Sequence, residues 1–265
     1  MQYDLVGFWN NVEFLKPPFV HPKDLDVLLV DDGKHIFTEA NDFDSYTRSA
    51  HFGRRDRRFH TSLLPIPYGG NLSRADIFIL LLNPGLSHAD YFGEFEVPEF
   101  RKRIERNLAQ DFENEEFPFF WLDPKFSWSS GFIWWEKKLR DIIALVANEN
   151  FGGHYLKALR DISRRLALIE LVPYHSSHFG GSPLIESLES SRVAKGYVAN
   201  VLMPDVERGT KTVVATRGAK TWNLGKSSEN CVIYTGGQAR GASLGPNTPG
   251  GRAILNRLKL SPQAA

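Results

Sequence analysis

The chain has one cysteine, Cys231, and only two methionines among its 265 residues. A single cysteine excludes an internal disulfide framework and any four-cysteine zinc or iron–sulfur site. No apolar run is long enough to span a bilayer. The amino terminus, Met1-Gln2-Tyr3-Asp4, lacks the basic n-region and apolar h-region of a secretion signal. An excess of one charge is missing too. With 32 Lys and Arg against 31 Asp and Glu, the net charge is +1, which excludes a uniformly basic nucleic-acid coat but not a local basic patch. Neither internal repeats nor a low-complexity tract is present. These absences predict a soluble chain in a reducing, cytoplasmic setting with no membrane partner. What is present suffices for a packed core: 42% hydrophobic and 24% charged residues.

The stretch Ile77-Phe78-Ile79-Leu80-Leu81-Leu82 is six apolar residues long and ends in Asn83-Pro84-Gly85. That length fits a strand buried on both faces, as in a parallel sheet covered by helices. Pro84 stops the ladder, and Gly85 permits a sharp turn or a close approach to a ligand. Further strands are predicted at Leu166–Val172, Thr212–Thr216 and Cys231–Thr235. Helices are expected over Glu99–Gln110, Ile133–Ala147, Tyr155–Arg164, Leu184–Leu202 and Ala219–Leu224. A last helix is capped by Thr248, with Pro249 at its first position. Strands alternating with helices predict a three-layer α/β/α domain around a central four-stranded parallel sheet. It spans residues 72–265, with a frayed tail at Ser261–Ala265. Residues 1–71 read as an amino-terminal extension with one short strand at Val27–Val30.

Chemistry gathers where the strands end, and in open α/β sheets ligands bind at the carboxyl ends of strands. The first strand ends at Asn83. The second delivers Glu170 and then Pro173-Tyr174-His175-Ser176-Ser177-His178. The third ends in Thr216-Arg217-Gly218, and the fourth in the glycine-rich run Gly236-Gly237-Gln238-Ala239-Arg240-Gly241-Ala242-Ser243. Asn-Pro-Gly is also ordinary turn chemistry. Glu170 interrupts an apolar strand, and a buried carboxylate needs a partner or a proton. Pairing with an arginine such as Arg217 is the structural reading. His175 on its loop is placed to orient water or polarise a leaving group. His175 and His178, three residues apart, do not make a metal site, so neither metal nor cofactor is expected. Phe117 to Trp135 holds nine aromatics in nineteen positions, either a pocket wall or a hydrophobic cluster under a loop. Arg54, Arg55, Arg57 and Arg58 fall within five positions. They are either a phosphate contact or a solvated charged face.

The run Leu81-Leu82-Asn83-Pro84-Gly85-Leu86 resembles the first active-site motif of the uracil-DNA glycosylase superfamily, nearest its mismatch-specific thymine/uracil branch. Ile169-Glu170-Leu171-Val172-Pro173-Tyr174 resembles that superfamily's second strand, which carries the residue reading the flipped base. Gly237-Gln238-Ala239-Arg240-Gly241-Ala242 resembles the loop that enters the duplex. The likeness covers Leu72 to about Leu260. Two departures accompany it: the last loop lacks the histidine of several branches, and Glu170 stands where many uracil-specific members carry asparagine.

The resemblance implies a DNA glycosylase that flips a base and hydrolyses its N-glycosidic bond. It makes Asn83 the residue that positions water, with His175 assisting and Asp90 as a reserve carboxylate. Gly85, Glu170, Phe120, Trp121 and Tyr174 then contact the base. Gln238, Arg240 and Ser243 enter the duplex, and Arg54, Arg55, Arg57 and Arg58 contact phosphates. Gly85 stands where uracil-strict members carry a bulky aromatic, which leaves room at carbon 5. An ionised Glu170 accepts from an exocyclic amine such as cytosine N4. A 5-modified cytosine of phage DNA is therefore the expected substrate. The alternatives are a uracil/thymine mismatch repair glycosylase, a nonenzymatic binder of modified or single-stranded DNA, and a nucleoside hydrolase.

Overall fold

The structure, a computed structural model, describes residues 3–10, 12–30, 34–55, 57–179 and 184–259. The tail 261–265, expected to fray, lies outside the described residues. In chain order the elements begin with α1 (Leu5–Asn10), α2 (Pro22–Leu29), β1 (Ile36–Phe37), α3 (Phe43–Arg48), β2 (Phe59–His60), β3 (Tyr68–Gly69) and β4 (Ile77–Leu81). Then come α4 (His88–Glu96), α5 (Pro98–Leu108), α6 (Ser130–Phe151), α7 (Tyr155–Arg165), β5 (Leu166–Glu170) and α8 (Glu189–Tyr197). The chain closes with α9 (Met203–Glu207), β6 (Thr212–Ala215), β7 (Cys231–Ile233), α10 (Gly236–Gly241) and α11 (Pro249–Leu258). Among the described residues, no helix is long and apolar enough to cross a membrane.

The chain divides into two compact units. The first comprises residues 1–68, 82–111 and 170–197, the second residues 69–81, 112–169 and 198–265. The division does not fall at residue 71. The segment expected to be an extension shares a unit with the residues that follow β4 and β5.

The main sheet has five strands in the order β3-β5-β4-β6-β7. β4 runs parallel to β6, with Ile77 opposite Thr212, and β6 runs parallel to β7, with Val213 opposite Cys231. Every residue of β4 and β5 is buried, as continuous apolar strands require. Each fully buried Leu, Ile or Phe there contributes roughly 1.5–3 kcal/mol. The four expected strands are present, and the fifth is the two-residue β3, too short to leave a periodic signal. Helix α11 starts as predicted: Thr248 Oγ1 accepts the Gly251 N–H at 3.0 Å, with Pro249 in the first turn. Ser129 caps α6, which closes on Gly152 at φ 57°.

Four local expectations are corrected. Val27–Val30 belongs to the end of helix α2 and the residue beyond it, because Pro22 and the His21 cap start a helix there and four apolar residues cannot distinguish helix from strand. Ala219–Leu224 forms turns instead of a helix. The glycine-rich run after β7 is the short helix α10, ended by Ala242 at φ 44°. The long helix expected from Leu184 begins at Glu189 and widens to a π-helical turn over Val198–Leu202.

Candidate functional site

In the first unit, the connection after β4 is short and anchored at both ends. The strand ends at Leu81, and Gly85 turns the chain at φ 75°. Leu86 then packs against a core of Phe37, Ala40, Tyr46, Leu63 and Tyr91. Ser87 caps α4: its Oγ accepts the Ala89 N–H at 3.1 Å, while Asp90 Oδ2 accepts the Ser87 N–H at 2.6 Å. Asp90 is thereby committed to a capping box. A Cβ built on Gly85 would meet nothing within 4 Å. The glycine is therefore required by its backbone angle and leaves open space beside it.

The segment after β5 is held by backbone hydrogen bonds on both sides. Residues 60–67 contribute three: Glu170 N–H to the Pro67 carbonyl at 3.0 Å, Ile66 N–H to the Pro173 carbonyl at 2.8 Å, and His60 N–H to the His175 carbonyl at 2.8 Å. On the other side, Val172 N–H donates to the Leu82 carbonyl at 2.9 Å. This clamp brings two adjacent regions of side chain against the Asn83-Pro84-Gly85 turn. Asn83 Nδ2 donates to Ser176 Oγ at 2.9 Å, with longer contacts of 3.5 Å to the Tyr174 and Ser176 carbonyls. His175 Nδ1 donates to the Gly85 carbonyl at 3.0 Å. The amide nitrogen of Asn83 is thus occupied. Its Oδ1 has no hydrogen-bond partner among the described residues.

His175 is buried, and its Nε2 has no hydrogen-bond partner among the described residues. A carbonyl only accepts, so the Nδ1 contact to Gly85 is made by a protonated Nδ1. Burial lowers the pKa of the ring. The Asp90 charge and the carbonyls of Gly85 and Leu64 oppose that shift without reversing it. Next to the fixed Asn83 amide lies, then, a buried imidazole whose charged form is disfavoured. The half-buried Asn83 carbonyl oxygen offers a hydrogen-bond acceptor that can position water or a base edge without an ionised general base.

Two buried carboxyl groups support this region, and sequence reasoning missed both. Asp24 on α2 is fully buried; its Oδ2 accepts the Tyr174 hydroxyl at 2.6 Å and its Oδ1 the Ser190 N–H at 3.1 Å. The same Tyr174 hydroxyl accepts the His21 N–H at 3.2 Å, and burial followed by Asp24 pushes its pKa up. Tyr174 is therefore engaged in joining α2 to the site segment. Glu94 on α4 accepts the Leu64 N–H at 2.9 Å through Oε2, with Arg101 Nη1 at 3.6 Å. Its Oε1 has no partner among the described residues. Burial raises its pKa to about 8, against the opposing Leu64 N–H and Arg101. Neither residue belongs to a motif; the only sequence signal is an acidic residue inside an otherwise packed helix face.

Of the remaining expected site residues, Glu170 is buried at 3% exposure. Arg54, Arg55 and Arg57 are exposed. Arg58 is half-buried and its Nη1 donates to His51 Nε2 at 3.3 Å. The Ser177 hydroxyl reaches the Arg54 carbonyl at 3.5 Å, so the arginine loop adjoins the segment that carries His175. All of these belong to the first unit.

Phe120, Trp121, Gln238, Arg240 and Ser243 belong to the second unit. Phe120 and Trp121 are buried and stack at 4.2 Å between ring centroids. The Trp121 ring occupies the space that side chains at Gly69 and Gly131 would fill. Gln238, Arg240 and Ser243 are exposed. Lys138 Nζ donates to the Gly241 carbonyl at 2.7 Å, tying α6 to the end of α10. Among the described residues, no three His, Cys, Asp or Glu side chains converge as a metal site needs. No family model, no curated protein and no solved structure matches this chain.

Proposed function

We propose that this chain is a DNA glycosylase that takes a base out of the stack and hydrolyses its N-glycosidic bond, with a 5-modified cytosine as the base. The observation that carries the reading is the fixed Asn83 amide. It lies two residues beyond a buried strand, with its nitrogen held by Ser176 and a neutral His175 anchored to Gly85 beside it. In glycosidic hydrolysis positive charge develops on the sugar, and a water must be held on the face opposite the departing base. An amide oxygen whose nitrogen is already occupied suits that task by orientation and dipole, with no reorganisation during the reaction. The finer architecture of the proposal is the three-layer α/β/α arrangement of the glycosylases that the motifs resemble.

Base choice rests on two residues. Buried Glu170 supplies an acceptor for an exocyclic amine, a pairing worth about 1–3 kcal/mol of discrimination. Open space at Gly85 accommodates a substituent on carbon 5. The test is a panel of oligonucleotides carrying uracil, thymine mismatches and 5-modified cytosines, scored for abasic sites by alkaline cleavage. Release of modified cytosine that weakens about 5- to 100-fold in Glu170→Gln supports the reading. Ready release of uracil, indifferent to Glu170→Gln, replaces it with mismatch repair.

A further inference from the structure

The loop that carries the arginine run also carries Phe52, a large apolar side chain left 44% exposed. Its ring lies 4.3 Å from that of His88, itself exposed at the start of α4, with a tilt of 33°. The pair does not stand alone. Phe52 meets the edge of Tyr46 at 5.5 Å, and the Tyr46 hydroxyl hydrogen-bonds His88 Nδ1 at 2.8 Å. Tyr46 stacks on buried Tyr91 at 3.7 Å and 8°. A buried aromatic stack therefore holds the two outer rings in place. Residues 54–58 carry a net charge of +3, and Arg54, Arg55 and Arg57 are exposed. The Arg54 carbonyl contacts Ser177, one residue from the Ser176 that holds Asn83.

We infer that Phe52 and His88 form a stacking shelf for unpaired bases, with Arg54, Arg55 and Arg57 holding the phosphates, so that single-stranded DNA is the form of substrate this chain engages. Two exposed rings on the loop and helix end beside exposed arginines match what single strands present: a π-face on every base and a charge on every phosphate. A duplex hides its bases and can use only the arginines. The identification of the strand as the substrate rests on the glycosylase reading; the shelf itself does not.

Fluorescence anisotropy with a labelled oligothymidylate, and with the same strand in a duplex, tests this. Phe52→Ala is expected to weaken single-strand binding by about 5- to 100-fold, the worth of one stacked base, and to leave duplex binding unchanged. Phe52→Trp retains single-strand binding. Replacing Arg54, Arg55 and Arg57 by Gln lowers the slope of log affinity against log salt by roughly 2 for the single strand. Phe52 and the three arginines are exposed, so these variants are expected to fold as the wild type does, which circular dichroism checks. Wild-type binding by Phe52→Ala, or equal losses on single strand and duplex, overturns the shelf. Binding is read without any base being released. Absence of glycosylase activity therefore leaves the result standing, whereas active glycosylase with Phe52-independent binding removes the shelf alone.

Discussion

Asn83 Nδ2 donates to Ser176 Oγ at 2.9 Å across 93 residues of sequence. That bond sets the direction in which the Asn83 carbonyl oxygen faces. Ser176→Ala removes the acceptor and is expected to lower kcat by about 3- to 10-fold with little change in KM, since a net hydrogen bond of this kind is worth about 0.5–1.5 kcal/mol. Single-turnover kinetics read the split. A loss confined to KM would assign Ser176 to binding.

His175 gives the protein an acid-sensitive contribution to stability. Its folded pKa is lowered by burial, so between that value and the ordinary histidine value near 6.5 the unfolded chain binds more protons than the folded one. The stabilising contribution is complete above about pH 6.5 and is lost as pH falls toward the folded pKa. Buried His21 is shifted in the same direction. Because Glu94 changes stability the other way over the same range, the histidine contribution is read as the difference in urea midpoint between wild type and a variant measured downward from pH 7. The His175→Gln variant should gain stability relative to wild type as pH falls, since His21 and Glu94 are common to both. An identical pH profile in the variant would remove His175 from this account.

Glu94 works in the opposite sense. Its pKa is raised to about 8, well above the ordinary glutamate value near 4.3. Its contribution is complete at low pH and is lost as pH rises through that window, because the unfolded chain releases the proton first. Glu94→Gln keeps an acceptor for the Leu64 N–H and has no proton to lose. It should gain stability relative to wild type as pH climbs from 5 to about 8. A constant difference across that range would contradict the assignment.

In the second unit, Gly131 lies under the Trp121 ring. A Cβ there would overlap Trp121 Cδ1. Alanine favours a helix over glycine by about 1 kcal/mol, yet Gly131→Ala is expected to destabilise by about 1–3 kcal/mol because the overlap forces the indole to move. Chemical denaturation checks the sign, and a stabilised variant would show that Trp121 yields freely.

Apolar continuity makes β4 and β5 legible in the sequence, and Thr248-Pro249 marks the start of α11 to the residue. Asn83 and His175 are legible as strand-end polar groups. Their joint fixation is not, because it depends on backbone pairing of residues 60–67 with the segment after β5, a contact of high sequence separation that leaves no local periodicity. The same reason hides Asp24 and Glu94, whose partners are backbone N–H groups and a tyrosine hydroxyl far along the chain. Phe120 and Trp121 leave the choice between pocket wall and buried cluster open in the sequence, since the prolines and serines around them break any period. Glycines at 69 and 131 open the space that buries Trp121.

Release of a base from a 5-modified-cytosine oligonucleotide, scored as alkali-labile abasic sites, tests the central claim most directly. The wild-type protein should accumulate abasic sites, and Asn83→Ala should do so at least about a hundredfold more slowly while still binding DNA, the scale of a lost positioning and electrostatic contribution. A wild-type protein that forms no abasic site on any base of the panel, or an Asn83→Ala variant that turns over as fast as wild type, would contradict it.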